Sequence, residues 1–218
     1  MRLYDTQRSG NAWKVRLLAG LLGVDLPRVT LSIDRGDLRD PVFLKRNPLG
    51  MVPVLELDGG RTIGESMAIL HYLAGGTPFW PTQPLAQAQV LTWLSFEQAQ
   101  HMHPLAQLRL HLSLHRDRSA QDADMVRHRA EALHALGVLD AQLARQGVDG
   151  WVATADRPSI ADVALYPYTR FAAMAGIDIA GFPHLPPWLA RIEGLPGYQP
   201  LFPGRPDLNF STVELREP

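Results

Sequence analysis

A short alternation of apolar and polar residues predicts a hairpin in the first third of the chain. Residues 54–57 alternate in the way that a half-buried strand does. An Asp-Gly-Gly turn follows at 58–60, and residues 61–63 supply the return strand. The pattern therefore places residues 64–66 next to the start of the first strand.

The hairpin closes a longer α/β pattern. Ser66 opens an apolar stretch that runs to Ala74 and ends at two glycines, which predicts a helix. Upstream, the pattern predicts a helix over about 12–22, a strand over 28–33 and a short helical piece at 42–44. The order strand, helix, strand, helix, hairpin, helix is that of one α/β domain.

From Leu85 onward the hydrophobic spacing is helical. Pro104 predicts a bend in the first long helix, because proline removes one backbone hydrogen bond. Ser119 and Asp122 have the spacing of a capping box, which predicts a second long helix that ends at Gly147. We expect its apolar stripe to be buried: Val126, Ala130, Leu133, Leu136 and Leu143.

A second capping box, Ser159 with Asp162, predicts another helix. This helix is apolar on nearly every side, so we expect it at the centre of a helical domain, with a kink at Pro167. The glycines and prolines before residue 85 indicate a linker. The predicted divisions are a domain at 1–76, a linker at 77–84, a helical domain at 85–204 and a tail at 205–218.

Composition narrows the classes of function. The chain has 218 residues, 46% hydrophobic and 20% charged, as in soluble globular proteins. A net charge of −1 argues against a nucleic-acid partner. The sequence contains no run of about 18 apolar residues, so it predicts no membrane span. We expect a cytoplasmic protein. Since there is no cysteine, any sulfur chemistry must use the sulfur of a ligand.

Two features predict a pocket for a small peptide. Pro53 opens the strand without an N–H to donate, and a cis bond there would leave the backbone of Val52 free to pair with a ligand. The helix start at Ser66 suits a carboxylate, while Glu65 suits an amine. The tripeptide γ-glutamyl-cysteinyl-glycine, glutathione, carries an amide, a carboxylate and an amine.

The chain resembles the glutathione transferases, which carry a Val-Pro turn followed by Glu-Ser at this spacing. The resemblance extends to Leu3-Tyr4-Asp5, Phe79-Trp80-Pro81 and the box at 159–162. It implies an α/β thioredoxin-like N-terminal domain and an all-α helical-bundle C-terminal domain. It also implies glutathione as co-substrate, a small electrophile as second substrate, detoxification, and a homodimer.

The loop before the first helix would then activate the glutathione thiol. A cysteine-type thiol has a pKa of about 8.5, so only a small fraction is thiolate at neutral pH. Ser9 and Asn11 are the candidate donors to the sulfur, and we favour Ser9 because relatives use a serine in this loop. A loop serine without such a setting is usually only a helix cap.

The resemblance assigns further residues. Arg35, Arg39 or Lys45 can supply a cation for the glycine carboxylate, and we include Arg35 in the predicted site. Met51 stands where many relatives have a polar or basic side chain, and Glu97 where relatives contribute a group across a dimer interface. The helical residues predicted to line the second-substrate pocket are His103, Arg109 and Tyr168, with His101.

His111 and His115 have i, i+4 spacing, but the sequence shows no third ligand, so we predict no metal site.

Two other functions remain open, and a third is disfavoured. The segment from Ser9 to Arg16 is similar to that of zeta-type transferases, which isomerise maleylacetoacetate. Those transferases have a Ser-Ser-Cys motif in this segment, and this chain has no cysteine there. The missing cysteine argues against isomerase activity. Some bacterial relatives without a catalytic cysteine are glutathione-dependent disulfide reductases. A non-catalytic binding module is the third alternative, although it has no need of Ser9, Glu65 or Ser66.

Overall fold

The computed structural model describes residues 1–202, which form two compact units. The first contains residues 1–75 and 196–202, and the second contains residues 76–195. The sequence assigned 196–202 to the helical domain, whereas in the structure these residues cluster with the first unit. The predicted tail at 205–218 lies outside the described residues. Among the helices of residues 1–202, none is long and apolar enough to cross a membrane.

The first unit is a four-stranded mixed sheet with helices. The strands are β1 (Arg2–Asp5), β2 (Arg28–Thr30), β3 (Val54–Glu56) and β4 (Thr62–Gly64), in the order β2-β1-β3-β4. β1 and β2 are parallel, and the other two pairs are antiparallel. The helices are α1 (Gly10–Leu21), α2 (Pro41–Leu44) and α3 (Ser66–Ala74). The predicted thioredoxin-like fold and hairpin are confirmed, although β2 is shorter than predicted.

Helix α1 crosses from β1 to β2 and packs against α3. Parallel strands need such a crossover connection, and it buries Trp13, Leu17 and Leu18 fully. The indole of Trp13 donates to the carbonyl of Gln199 at 2.7 Å, which ties the segment 196–202 to α1. A Cβ at Gly197, whose φ is +84°, would overlap the carbonyl of Gly20, so a glycine is required at this crossing.

The second unit is all helical. Its helices are α4 (Pro84–Phe96), α5 (Met102–Arg109), α6 (Ala123–Gln146), α7 (Ile160–Arg170) and α8 (Leu185–Glu193). Two π-helical turns, Glu97–His101 and Leu110–Leu114, adjoin α5 on either side. The first ends three residues before Pro104 and includes Gln100, whose carbonyl the proline ring opposes. The long helix that was predicted to bend at Pro104 is therefore interrupted nearby, and the second π-helical turn was not predicted.

The predicted capping box of the second long helix is wrong. Asp122, not Ser119, is the N-cap residue of α6, and its side chain makes no capping hydrogen bond to the helix. Its carboxylate instead accepts from the N–H of Ser119 at 3.1 Å. The reason is that Asp122 still has an extended backbone, with φ −62° and ψ 139°, so the helix begins only at Ala123.

Three of the five residues in the predicted apolar stripe of α6 are exposed, so that part of the prediction is wrong. Val126 is 52% exposed, Leu133 is 36% exposed and Ala130 is exposed, whereas Leu136 and Leu143 are buried. The buried face of α6 combines apolar residues with one histidine. Its members are Met125, His128, Ala132, Ala135, Leu136, Leu139 and Leu143. Two stripes at helical spacing compete on this helix, and contacts with α5 and α8 decide which is buried.

The predicted capping box and burial of α7 are confirmed. Ser159 and Asp162 form a capping box, and every residue from Ile160 to Thr169 is buried. The carboxylate of Asp162 also accepts from the N–H of Val152 at 2.9 Å and from the indole of Trp188 at 3.0 Å. The predicted local cap therefore joins three segments of the second unit.

Candidate active site

Ser9 occupies the N-cap position of α1, in the loop that follows β1. Its backbone is extended, with φ −70° and ψ 120°, and its Oγ accepts from the N–H of Ala12 at 3.1 Å. The hydroxyl hydrogen is not used by this cap, because the oxygen acts as acceptor. Within residues 1–202 we find no acceptor for it, so Ser9 can donate to a ligand.

Asn11 lies in the first turn of α1 and is held by a buried lysine. Its Oδ1 accepts from Nζ of Lys14 at 2.8 Å. Because the oxygen is engaged, Nδ2 is the side of the amide that remains as a donor, and in the described part of the chain it has no acceptor. The first turn of α1 contains no acidic residue. Two donors thus meet the positive end of a helix, an arrangement that favours an anion.

The turn before β3 is fixed by a buried asparagine, Asn47, for which the sequence predicted no role. Nδ2 of Asn47 donates to the carbonyl of Met51 at 2.8 Å, and its Oδ1 accepts from the N–H of Leu49 at 3.2 Å. An Asn-Pro pair at a turn is the sequence signal for this role. The Val52–Pro53 bond is cis, as predicted. In the described residues, the N–H and carbonyl of Val52 make no backbone hydrogen bond.

The register of the hairpin brings the predicted ligand groups to one end of the sheet. Val54 pairs with Gly64, so Val52 precedes and Ser66 follows the last paired residues, at the same end of the hairpin. Ser66 is buried and begins α3, whose N-terminus has no side-chain cap. The first N–H groups of this helix therefore remain for a ligand, as the sequence predicted.

Glu65 has an unusual backbone conformation. Its φ is +62° and its ψ is 121°, while its side chain is exposed at the start of α3. A non-glycine residue held at such angles costs on the order of 1–3 kcal/mol, and strain of this kind concentrates at functional sites. The sequence predicted the position of Glu65 but not this strain, since nothing in its residue type announces a positive φ.

The three candidate cations differ in their surroundings. Arg35 reaches Oδ2 of Asp37 at 3.4 Å. The N–H of Ser32, and then Arg35, hold the pKa of Asp37 below its usual range, so this partner stays charged. Arg39 instead packs against Gly50, in the turn before β3. Its Nη1 lies 3.0 Å from the position that a Cβ atom on Gly50 would occupy. Lys45 and Met51 are both exposed, and Met51 adds no charge.

In the second unit, Arg109, Tyr168 and Glu97 form a buried cluster. The guanidinium of Arg109 lies 3.8 Å from the ring centroid of Phe171. Burial raises the pKa of Tyr168 to about 12; Arg109 opposes this rise and Glu97 adds to it. Oε2 of Glu97 accepts from Gln98 at 2.7 Å. The role of Glu97 across a dimer interface stays a prediction.

His103 lies apart from this cluster. It is exposed, and its ring centroid is 5.4 Å from that of His128 on α6. It lines a cavity of about 310 Å³ together with Glu131 and His134. His101 is buried, and its Nε2 is 2.9 Å from Oγ1 of Thr169. The structure thus brings together Arg109 and Tyr168 of the predicted second-substrate residues, but not His103.

Two families of domains match the chain. Residues 8–75 match the glutathione S-transferase N-terminal domain, and residues 106–207 match the C-terminal domain. The chain is 31% identical over 210 residues to maleylacetoacetate isomerase of Rhizobium meliloti (strain 1021), covering 93% of this chain and 96% of that protein.

Solved structures show the same fold. A glutathione S-transferase from Pseudomonas fluorescens Pf-5 is 34% identical, with a TM-score of 0.87, covering 92% of this chain and 98% of that chain. Ure2p in complex with S-p-nitrobenzylglutathione is 25% identical, with a TM-score of 0.81, covering 90% of this chain and 91% of that chain.

Proposed function

Because this chain belongs to the glutathione S-transferase family, we propose that it activates glutathione as a thiolate for attack on a small electrophile. One observation carries the proposal. Ser9 Oγ–H and Asn11 Nδ2 are donors at the positive end of α1, in a chain that has no cysteine. The nucleophilic sulfur therefore comes from the co-substrate.

The first unit supplies groups for each part of the tripeptide. The main chain of Val52 pairs with the cysteinyl backbone, in the manner of an added strand. The N–H groups at the uncapped start of α3 donate to the γ-glutamyl carboxylate, and the Glu65 carboxylate accepts from the neighbouring ammonium. The register of β3 and β4 supports this assignment, since it brings these residues to the same end of the hairpin.

The reaction begins with loss of the thiol proton to solvent. Lowering the pKa of the thiol by about 2 units requires about 2.7 kcal/mol of preferential thiolate stabilisation. One or two hydrogen bonds to the sulfur and a helix N-terminus are sufficient. The thiolate then forms the sulfur–carbon bond with the electrophile, and the leaving group departs with its electron pair. A halide leaves as an anion, so the step needs no other reactant.

The test is conjugation of glutathione to a chlorodinitrobenzene. We expect saturable thioether formation, and we expect S-methylglutathione to raise the melting temperature without supporting turnover, because it can bind but has no thiol. Absence of both turnover and a thermal shift at millimolar glutathione would contradict the proposal. A thermal shift without turnover would instead indicate the non-catalytic binding module.

A second candidate function is glutathione-dependent disulfide reduction. The amide of Asn11, oriented by Lys14, favours it because it can stabilise a thiolate without any protein thiol. Two glutathione molecules would be oxidised to one glutathione disulfide, while the substrate disulfide takes up two electrons and two protons as its thiols. Comparing a mixed disulfide with the chlorodinitrobenzene separates the two activities. An assay with maleylacetoacetate as substrate tests the predicted absence of isomerase activity.

We propose Arg39 as the cation for the glycine carboxylate, since Arg35 is engaged by Asp37. Arg39→Ala is expected to raise KM for glutathione about tenfold with little change in kcat, which is about 1.4 kcal/mol. Arg35→Ala is the matched control and should change KM less than about twofold. The assignment fails if Arg35→Ala has the larger effect on KM.

We propose that a second copy of the chain covers the exposed stripe of α6, as the expected homodimer requires. The stripe contains Val126, Ala130 and Leu133, which are exposed although apolar. Leu133→Glu is expected to shift the sedimentation coefficient at micromolar concentration from dimer to monomer, whereas Val148→Glu on an exposed loop should not. A wild-type monomer at this concentration would contradict the proposal.

The cytoplasmic location also stays a prediction.

A further inference from the structure

His111, His115 and Asp117 form a cluster of metal-ligating side chains in the second unit. One donor atom from each residue lies within 4.8 Å of the others. None of the three belongs to the proposed glutathione site. We propose that they form a binding site for a divalent transition-metal ion, with two imidazole ligands and one carboxylate ligand.

The second π-helical turn places the two histidines on one face. The N–H of His115 donates to the carbonyl of Leu110, five residues back, at 2.8 Å. In a helix with this wider hydrogen-bond spacing, residues four apart lie just less than one full turn apart. The rings of His111 and His115 accordingly stand 6.3 Å apart between centroids, nearly perpendicular to each other.

The third ligand is Asp117, and a turn at the left-handed residue Arg116 brings it to the two histidines. The sequence did not reveal this turn. Arg116 has a φ of +56°, which is uncommon for a residue other than glycine. The chain turns back at this point, so that the N–H of Asp117 donates to the carbonyl of His111 at 3.2 Å. Oδ1 of Asp117 then lies 2.8 Å from Nδ1 of His111. The expectation of no metal rested on a missing third ligand, and the turn provides one.

The backbone that carries the cluster is anchored on its other side. Oγ of Ser113 donates to the carbonyl of Met174 at 2.5 Å. Leu112 lies close to Gly176, with Cδ1 3.8 Å from where a Cβ on that glycine would stand. The ligand-bearing turn is therefore held in place before any ion binds, which reduces the conformational entropy that binding would cost.

The donor set selects the class of ion. Imidazole nitrogens with one carboxylate suit Zn²⁺, Co²⁺, Ni²⁺ or Fe²⁺, whereas Ca²⁺ and Mg²⁺ prefer all-oxygen sites. Metal–ligand bonds of about 2.0–2.1 Å place tetrahedral ligand atoms about 3.4 Å apart, so side-chain rotations are enough to close the cluster. His115 and Asp117 are exposed, so water can fill the remaining coordination positions.

The experiment uses the full-length chain without an affinity tag and without glutathione, whose thiol would compete for the ion. Titration with Co²⁺ is expected to produce visible absorption bands that saturate at one ion per chain, and excess Zn²⁺ should displace them. His115→Ala and Asp117→Asn should each weaken Co²⁺ binding by at least about tenfold, since loss of an outer-shell partner alone typically costs that much. His134→Ala, which removes an exposed histidine elsewhere on the helical unit, should leave binding unchanged.

The outcomes decide between a built site and incidental surface binding. Equal Co²⁺ affinity in wild type, His115→Ala and Asp117→Asn would overturn the proposal, as would the absence of saturable binding. Circular dichroism of each variant checks that the helices remain folded, and His111→Ala provides an independent removal of a ligand. Loss of affinity in His134→Ala of the same size would also count against the proposed site.

Discussion

Replacing Ser9 by alanine is expected to lower kcat for conjugation of a chlorodinitrobenzene about a hundredfold near neutral pH, with little change in KM for glutathione. The hydroxyl is the donor that the N-cap geometry leaves unused. We expect it to donate to the sulfur, whose negative charge exists only in the thiolate. Backbone and carboxylate contacts at Val52, Glu65 and Ser66 would still hold the tripeptide, so binding should persist.

The pH profile distinguishes thiolate stabilisation from a loss of structure. In the wild type at saturating glutathione, kcat/KM for the electrophile should rise with the ionisation of bound glutathione at a pKa well below that of a free thiol, about 8.5. In Ser9→Ala this apparent pKa should move back toward the free value, and part of the activity should return at high pH. Stability should fall by only about 1 kcal/mol, the usual cost of an N-cap.

Two variants serve as controls for this prediction. Ser9→Thr keeps both a hydroxyl donor and a capping oxygen, so it should retain much of the activity. Asn11→Ala removes the other donor and should have the smaller effect if Ser9 is the main activator. Full activity in Ser9→Ala together with loss in Asn11→Ala would show that the amide activates the thiol instead.

Replacing Asp162 by alanine is expected to reduce the free energy of unfolding by about 4 kcal/mol or more. The carboxylate accepts from Val152 N–H at 2.9 Å, Ser159 N–H at 2.9 Å, Trp188 Nε1 at 3.0 Å and Ser159 Oγ at 3.1 Å. Alanine would leave these buried donors without an acceptor. Removal of a buried acceptor costs much more than a typical hydrogen bond contributes, since water cannot enter to replace it.

Urea unfolding followed by circular dichroism measures this effect, and α6 offers the matched control. Asp122→Ala also removes an aspartate at a helix start, but Asp122 makes no capping bond to its helix and its partner, Ser119, is exposed. Its cost should be below about 1 kcal/mol. Similar losses for the two variants would mean that the buried donors around Asp162 contribute little.

Local hydrogen bonding and turn chemistry account for the predictions that the structure confirmed. The hairpin from Val54 to Gly64, the start of α3 at Ser66 and the capping box at Ser159 each depend on residues within a few positions of one another. Such features need no knowledge of distant parts of the chain.

The errors arose where distant contacts choose between locally equivalent options. Helix α6 carries two apolar stripes, and periodicity alone selected the one with Val126 and Leu133, which is exposed. The N-cap of this helix moved from Ser119 to Asp122 because the backbone at Asp122 is extended, and either residue type is a good cap.

By itself, the sequence determined the order of elements, the two-part α/β and all-helical organisation, and the residue types available for a thiol ligand. Tertiary structure decided which distant groups meet: the indole of Trp188 donates to Asp162, the indole of Trp13 donates to the carbonyl of Gln199, and contacts with α5 and α8 select the buried face of α6. Secondary structure follows from interactions between near neighbours in the chain. The direction in which a side chain presents its donor depends on which groups the complete fold places around it.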